Sequence, residues 1–141
     1  MEAVRVLLVS EQSDGRNRET VRMEGKGRIW ENDGICSLAY VLAGEKPEDT
    51  LRQKIELWPG RTIVKTLGNP ESRMTFRVGE RLQAEYHTPY GPLHMEVQTK
   101  KHQVRRGESL SDLELQMEYT LFLEGDYLAD YRMKIVVEKE R

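Results

Sequence analysis

The chain has one cysteine, Cys36, among its 141 residues, and it has no long apolar run. A lone cysteine cannot close an intrachain disulfide, which excludes the disulfide-stapled frameworks of small secreted proteins. No stretch approaches the roughly 20 apolar residues of a transmembrane helix. The first ten residues lack a basic segment followed by a long apolar one, so we expect no signal peptide and a cytoplasmic location.

An excess of charge of either sign is also missing. Lys and Arg number 22 against 24 Asp and Glu, for a formal net charge of -2. Nucleic-acid-binding domains usually carry a basic excess, so nucleic acid is not a favoured partner. Charged residues of both signs are interspersed, which indicates a folded and well-solvated protein. The length suits a single domain over residues 1–141.

The signatures of several enzyme classes are absent. The sequence has no Gly-x-Ser-x-Gly elbow, no Gly-rich phosphate loop that opens a helix and no Cys-x-x-Cys pair. Cys36 lies in a predicted strand without an identifiable His or Asp partner, so a buried structural thiol is favoured over a nucleophile. We therefore predict no catalytic residue and no cofactor, and we favour a protein that is not an enzyme.

What the sequence has in abundance is apolar alternation with a period of two. In residues 113–123, Leu, Met and Tyr side chains alternate with Glu, Gln and Thr. A helix would scatter those leucines around its circumference, so the pattern indicates a strand. Similar segments recur between turn signals such as Pro59-Gly60 and Gly68-Asn69-Pro70, and the only helical feature expected is one turn at residues 47–49.

These segments predict an all-β fold, an antiparallel meander closed into a calycin- or lipocalin-like β-barrel of about 8–10 strands. Closing the sheet buries its apolar face and removes its edges. A β-sandwich stays open as the alternative. Gly25 and Gly27 fall on the apolar face of the second strand, where they permit a sharp bend or the close approach of another backbone. The charged tail, residues 138–141, is expected to fray.

Residues 82–99 are the most informative stretch, because two alternating runs flank Pro89-Tyr90-Gly91-Pro92 and indicate a β-hairpin. If Tyr90 and Gly91 are central, His87 lies opposite His94 and Glu85 lies opposite Glu96 on the outer face. Two imidazoles and a carboxylate make a plausible zinc ligand set. The candidate metal ligands are His87, His94, Glu85 and Glu96. We favour the alternative, in which Arg73 and Arg77 neutralise the glutamates in a solvated lattice of ion pairs.

The same register predicts the inner face. Polar-tipped side chains among apolar walls suit a ligand pocket, and a barrel of about eight strands holds either packed side chains or one small ligand. We favour a filled core over a cavity. The candidate ligand-binding residues of the interior are Tyr86, Thr88, Met95, Thr99 and Tyr119.

A basic cluster follows the hairpin, at Lys100-Lys101 and Arg105-Arg106. Such a cluster is able to contact the phosphates of RNA or DNA. Glu108 and Glu114 dilute its charge, so a solvated face is the favoured interpretation.

Residues 88–91, Thr-Pro-Tyr-Gly, carry a resemblance to a known family, together with Val78-Gly79 before them and residues 93–99 after them. The chain is similar to the YwiB-like proteins, small bacterial proteins that form a domain of unknown function. The strands predicted at residues 113–123 and 133–137 fit the same pattern. The resemblance implies a calycin-type β-barrel, the broad group of lipocalins and fatty-acid-binding proteins. It carries over no site. A lipocalin shows Gly-x-Trp near its first strand, whereas Gly27 and Trp30 are separated by two residues here.

The leading functional hypothesis is therefore a barrel that binds a small or amphipathic molecule, a hypothesis that depends on analogy of fold. The alternative is a non-enzymatic interaction or regulatory module with a filled barrel. A homodimer stays open.

Overall fold

A computed structural model describes residues 1–68 and 71–140, and over these residues it shows ten β-strands and one short 3-10 turn. Asn69, Pro70 and Arg141 lie outside the described residues, and with them parts of the predicted turn at 68–70 and of the predicted frayed tail. None of the helices described here has the length and apolar character needed to cross a membrane. The strands are β1 (Glu2–Ser13), β2 (Arg18–Asn32), β3 (Ile35–Ala43), β4 (Leu51–Trp58), β5 (Arg61–Leu67), β6 (Glu71–Phe76), β7 (Arg81–Thr88), β8 (Gly91–Arg106), β9 (Leu113–Leu123) and β10 (Asp126–Lys139), with the 3-10 turn at Pro47–Asp49.

The strands form a closed barrel in which each pairs antiparallel with the next along the chain. The first and last strands complete the ring, from the pair Val4 and Lys139 to the pair Ser13 and Asp130. All ten strands of residues 1–68 and 71–140 belong to this one closed sheet, which excludes the β-sandwich alternative. The prediction of an all-β antiparallel meander closed into a barrel is confirmed.

The interior is filled by the apolar side of every strand. In β9, Leu113, Leu115, Met117, Tyr119 and Leu121 are buried, while the alternating Glu114 and Glu118 lie on the outer side. The ring of Tyr119 meets that of Phe76 edge to face at 4.7 Å and stacks on that of Tyr131 at 5.1 Å. Such aromatic pairs add to the stabilisation that comes from burial of the rings.

Gly25 and Gly27 occupy a place where two strands approach closely. A Cβ atom built on Gly27 overlaps the carbonyl oxygen of Ala39 and lies 2.8 Å from the Cβ of Tyr40, and one built on Gly25 overlaps the carbonyl oxygen of Val41. Only glycine fits such a contact without a shift of backbone. The predicted close approach is therefore present, and the β3 strand supplies it.

The predicted hairpin exists, but its predicted register is wrong. Thr88 pairs with Gly91, so the two-residue turn is Pro89-Tyr90 and not Tyr90-Gly91. The Thr88 hydroxyl donates to the Gly91 carbonyl and accepts from the Tyr90 N–H, and Gly91 takes a φ of 112°, which favours glycine. The pairing partners therefore move by two residues. Since the side-chain period is also two, each residue keeps its predicted face but meets a different neighbour.

Candidate functional site

The long strand β8 extends beyond its partner β7. The pairing with β7 ends at Gln98 and Arg81, and a single bridge joins Thr99 to Val78. Residues 100–106 continue as a strand that pairs with β9 alone, among the residues described. The barrel wall is thus open along one side of this segment.

A β-bulge sets which side chains of this segment face inward. The register with β9 shifts between Thr99 and Lys101, and beyond the shift three residues of β8 lie opposite buried residues of β9. They are His102 opposite Met117, Val104 opposite Leu115 and Arg106 opposite Leu113. These three side chains therefore face the barrel axis at the end of the barrel.

An open cavity of about 530 Å³ lies between this segment and the turn that joins β4 to β5. We call it the β8 mouth. Its lining combines apolar side chains with an imidazole and a guanidinium. The lining residues are Gly34, Leu57, Trp58, Pro59, Gly60, His102, Val104 and Arg106.

His102 connects two strands across the mouth. Its Nε2 lies 2.5 Å from the hydroxyl oxygen of Thr62, which has no exposed surface. Burial lowers the pKa of His102 below its ordinary value. Since burial disfavours the charged imidazolium, this side chain is neutral at pH 7, and one ring nitrogen donates while the other accepts.

Arg106 is the cation of the mouth. Its Nη1 lies 4.0 Å from the Glu31 carboxylate, beyond hydrogen-bonding distance. Beneath it lies the Cys36 thiol, whose pKa is raised by burial and lowered in part by the charge of Arg106. The prediction that the Cys36 thiol is buried is confirmed. The guanidinium has five N–H donors, and the Glu31 carboxylate does not engage them.

A second arginine adds positive charge to the rim. The guanidinium of Arg61 lies over the ring of Trp58, 4.7 Å from the centroid, in a cation–π contact. The indole Nε1 of Trp58 is buried and finds no hydrogen-bond acceptor among the described residues. The rim of the β8 mouth therefore favours an anion over a cation.

The structure does not gather the predicted interior residues around this mouth, and none of the five lines it. Met95, Thr99 and Tyr119 are buried in the filled core, and the hydroxyl of Thr99 has no partner among the described residues. Tyr86 is half-buried, and Thr88 serves the hairpin turn through its hydroxyl. A ligand role for these residues stays a prediction.

The predicted metal ligands are separated by the register. His87 lies opposite Pro92 and His94 lies opposite Glu85, so the predicted pairing of the two imidazoles is wrong. Glu96 is engaged by Arg81 at 3.1 Å and faces His94 at 3.8 Å. Across residues 1–68 and 71–140 no group of three His, Cys, Asp or Glu side chains is arranged to hold a metal ion.

The basic cluster is paired with acids along neighbouring strands. Lys101 lies 3.8 Å from Glu118, and Arg105 lies 3.8 Å from Glu114. Lys100 likewise lies 3.4 Å from Asp130. These pairs agree with the favoured interpretation of a solvated face and give no support to a phosphate-binding surface.

Reasoning from the sequence missed His102 and the inward direction of Arg106. The polar composition of residues 105–109 predicts a loop there, whereas the strand continues to Arg106. The available signal was the alternation of His102 and Val104 with Lys101 and Gln103. This alternation does not continue the one at residues 93–99, because the bulge at Lys100 inserts one extra residue between the two segments.

Comparisons with known proteins agree with the fold and leave the site without a precedent. The chain is similar to the crystal structure of the ywiB protein from Bacillus subtilis, with a TM-score of 0.84, 18% sequence identity, and coverage of 99% of this chain and 93% of that one. Among curated proteins none matches. The family described as a domain of unknown function, DUF1934, matches residues 6–135. Because that match spans most of the sequence, the chain belongs to the DUF1934 family.

Proposed function

We propose that this protein binds a small amphipathic anion at the β8 mouth. The observation that carries the proposal is the inward-facing guanidinium of Arg106, which opens onto the cavity with its donors unengaged by Glu31. Leu57 and Val104 supply apolar contact beside it. A few convergent polar groups in an apolar concavity are typical of ligand sites.

The filled core limits the size of the ligand. Because Phe76, Tyr119 and Tyr131 pack together inside the barrel, the apolar part of the ligand has to stay in the mouth and cannot extend along the barrel axis. The cavity of about 530 Å³ matches the usual range for small-molecule sites. A carboxylate with a short apolar chain fits both the volume and the charge, since Arg binds carboxylates with two parallel hydrogen bonds.

The calycin-type assignment is part of this proposal, because that group carries small apolar molecules in its barrels. The proposal places the binding in the cytoplasm of a bacterium and assigns the protein no reaction. Carriage or sensing of a short-chain acid is the function that the lining supports best.

A titration with octanoate tests the proposal, followed by NMR chemical shifts of the His102 and Arg106 side chains. Octanol and octylamine, which have the same chain and a neutral or cationic head, are the ligand controls. We expect octanoate to shift both side chains and to bind more tightly than either control. Equal binding of octylamine would contradict the proposed role of charge.

The variant Arg106→Gln should weaken octanoate binding by about tenfold or more, because a hydrogen bond to a charged group contributes roughly 1.5–3 kcal/mol. The matched control is Arg105→Gln, which removes the same charge from the adjacent residue. Arg105 faces outward towards Glu114. We expect its substitution to change octanoate binding by less than about twofold, since the exposed charge is screened. Equal losses in the two variants would refute the site.

A further inference from the structure

The unpaired side of residues 100–106 is a free strand edge. The segment is extended and hydrogen-bonded to β9, while its other side has no paired strand among the described residues. A free edge presents backbone N–H and C=O groups in the spacing that an incoming strand requires. Lys101, Gln103 and Arg105 on this segment are exposed, so the outer face beside the edge is open to solvent.

We propose that this edge accepts an acidic, extended segment of a partner protein as an added strand. Strand addition draws its affinity from main-chain hydrogen bonds and its selectivity from alternate side chains. The outward side chains here are Lys101 and Arg105, which are 47% and 70% exposed. Their ion pairs with Glu118 and Glu114 have separations of 3.8 Å at the surface, so they are weak and exchangeable.

A second copy of the chain does not fit the same edge. Antiparallel self-pairing about a two-fold axis at Gln103 would place Lys101 opposite Arg105 of the other copy, and Lys100 opposite Arg106. Like charges directly opposite each other across a strand pair are destabilising. The same charges that repel a copy of this chain attract alternate Glu or Asp residues, which selects the acidic partner.

A second free edge provides an internal comparison. Residues 18–23 of β2 pair with β1 and extend past the last pair with β3, at Glu24 and Ala43. Its outward side chains are Arg18, Thr20 and Arg22, since the alternate residue Met23 is buried, so that edge is basic as well. An acidic strand should therefore be attracted to both edges, whereas a strand that recognised only backbone would protect them whatever the charge of its side chains.

Amide hydrogen exchange with two synthetic heptapeptides tests the proposal. One peptide alternates Glu with Val and the other alternates Lys with Val, and both have blocked termini. We expect the acidic peptide to slow the exchange of alternate amides within residues 100–106 by at least tenfold, and the basic peptide to leave them unchanged. Alternate amides are expected because successive N–H groups of a strand point to opposite sides.

The double variant Lys101→Glu with Arg105→Glu should weaken binding of the acidic peptide at least tenfold and create binding of the basic one. The control is Arg5→Glu with Arg52→Glu, which makes the same change of charge on exposed residues of β1 and β4. We expect the control variant to bind both peptides as the parent does. Equal loss in the control would mean that net charge, and not the edge, attracts the peptide.

Three outcomes would overturn the inference. They are equal protection of residues 100–106 by the two peptides, protection by the basic peptide alone, and sedimentation of the free protein as a dimer with residues 100–106 already protected. Failure of this inference can be told apart from failure of the proposed octanoate binding. The variant Arg105→Gln should weaken binding of the acidic peptide and leave the affinity for octanoate unchanged. Arg106→Gln should have the larger effect on octanoate.

Discussion

Replacement of Gly27 by alanine is expected to destabilise the barrel although it adds only one methyl group. The new Cβ lies 2.8 Å from the Cβ of Tyr40 and overlaps the carbonyl of Ala39. Overpacking of this kind typically costs about 1–3 kcal/mol, and a backbone neighbour cannot rotate away, so the upper part of that range applies. Alanine also restricts the unfolded chain, which offsets about 0.4–1 kcal/mol. The net expectation is a loss of about 2 kcal/mol in the free energy of unfolding.

Equilibrium urea unfolding measures this loss. With a urea dependence of about 2 kcal/mol per molar, the midpoint should fall by about 1 M. A second substitution separates steric overlap from strand propensity. Valine favours strands more than alanine does, yet its larger side chain should deepen the overlap at Gly27. We therefore expect Gly27→Val to be less stable than Gly27→Ala. A more stable valine variant, or an alanine variant within about 0.5 kcal/mol of the parent, would refute the close-approach argument.

Three further outcomes are expected. Burial lowers the pKa of His102, so as the pH falls the unfolded chain takes up this proton before the folded one does. The free energy of unfolding should therefore decrease below about pH 6.5. In urea unfolding at pH 5.5 and 7.5, the variant His102→Gln should show a smaller difference between the two pH values. Phe76→Ala removes a buried ring from Tyr119 and should cost about 3–5 kcal/mol, measured by the same unfolding. Thr120→Val removes the hydroxyl that donates to Asp130, so the pKa of that carboxyl should rise towards its ordinary value, as followed by NMR titration.

Much of the fold followed from the alternation of apolar residues. The bounds of β9, Leu113–Leu123, agree with the alternating segment predicted at residues 113–123, and the turn signal Pro59-Gly60 lies between β4 and β5. In β9 the face predicted to be apolar is the buried one, since burial depends on residue type and a period of two. The pairing register of two strands does not follow from the pattern of apolar residues in the same way. In the hairpin it depends on which residue takes the positive φ, and Pro89-Tyr90-Gly91-Pro92 offers two choices that both preserve the pattern of faces.

The site was less accessible to the same reasoning. A bulge at Lys100 reverses the alternation within one strand, and a bulge has no reliable residue signature. Interactions across the barrel, such as His102 with Thr62, join β8 to β5, which are not neighbours in the sheet. Local patterns cannot report such pairs, because they depend on how the whole ring closes.

The closure of the ring also has a consequence for how the chain folds. Each pair of neighbouring strands is joined by a short connection, except for the pair of β1 and β10, which joins the two ends of the chain. Hairpins can form locally and early, whereas the last seam has to bring together residues such as Val4 and Lys139 at an entropic cost of roughly 4 kcal/mol. Until that seam forms, β1 and β10 are outer strands with unpaired edges. We therefore expect aggregation through these edges to lower the yield of soluble protein when the chain is refolded at high concentration.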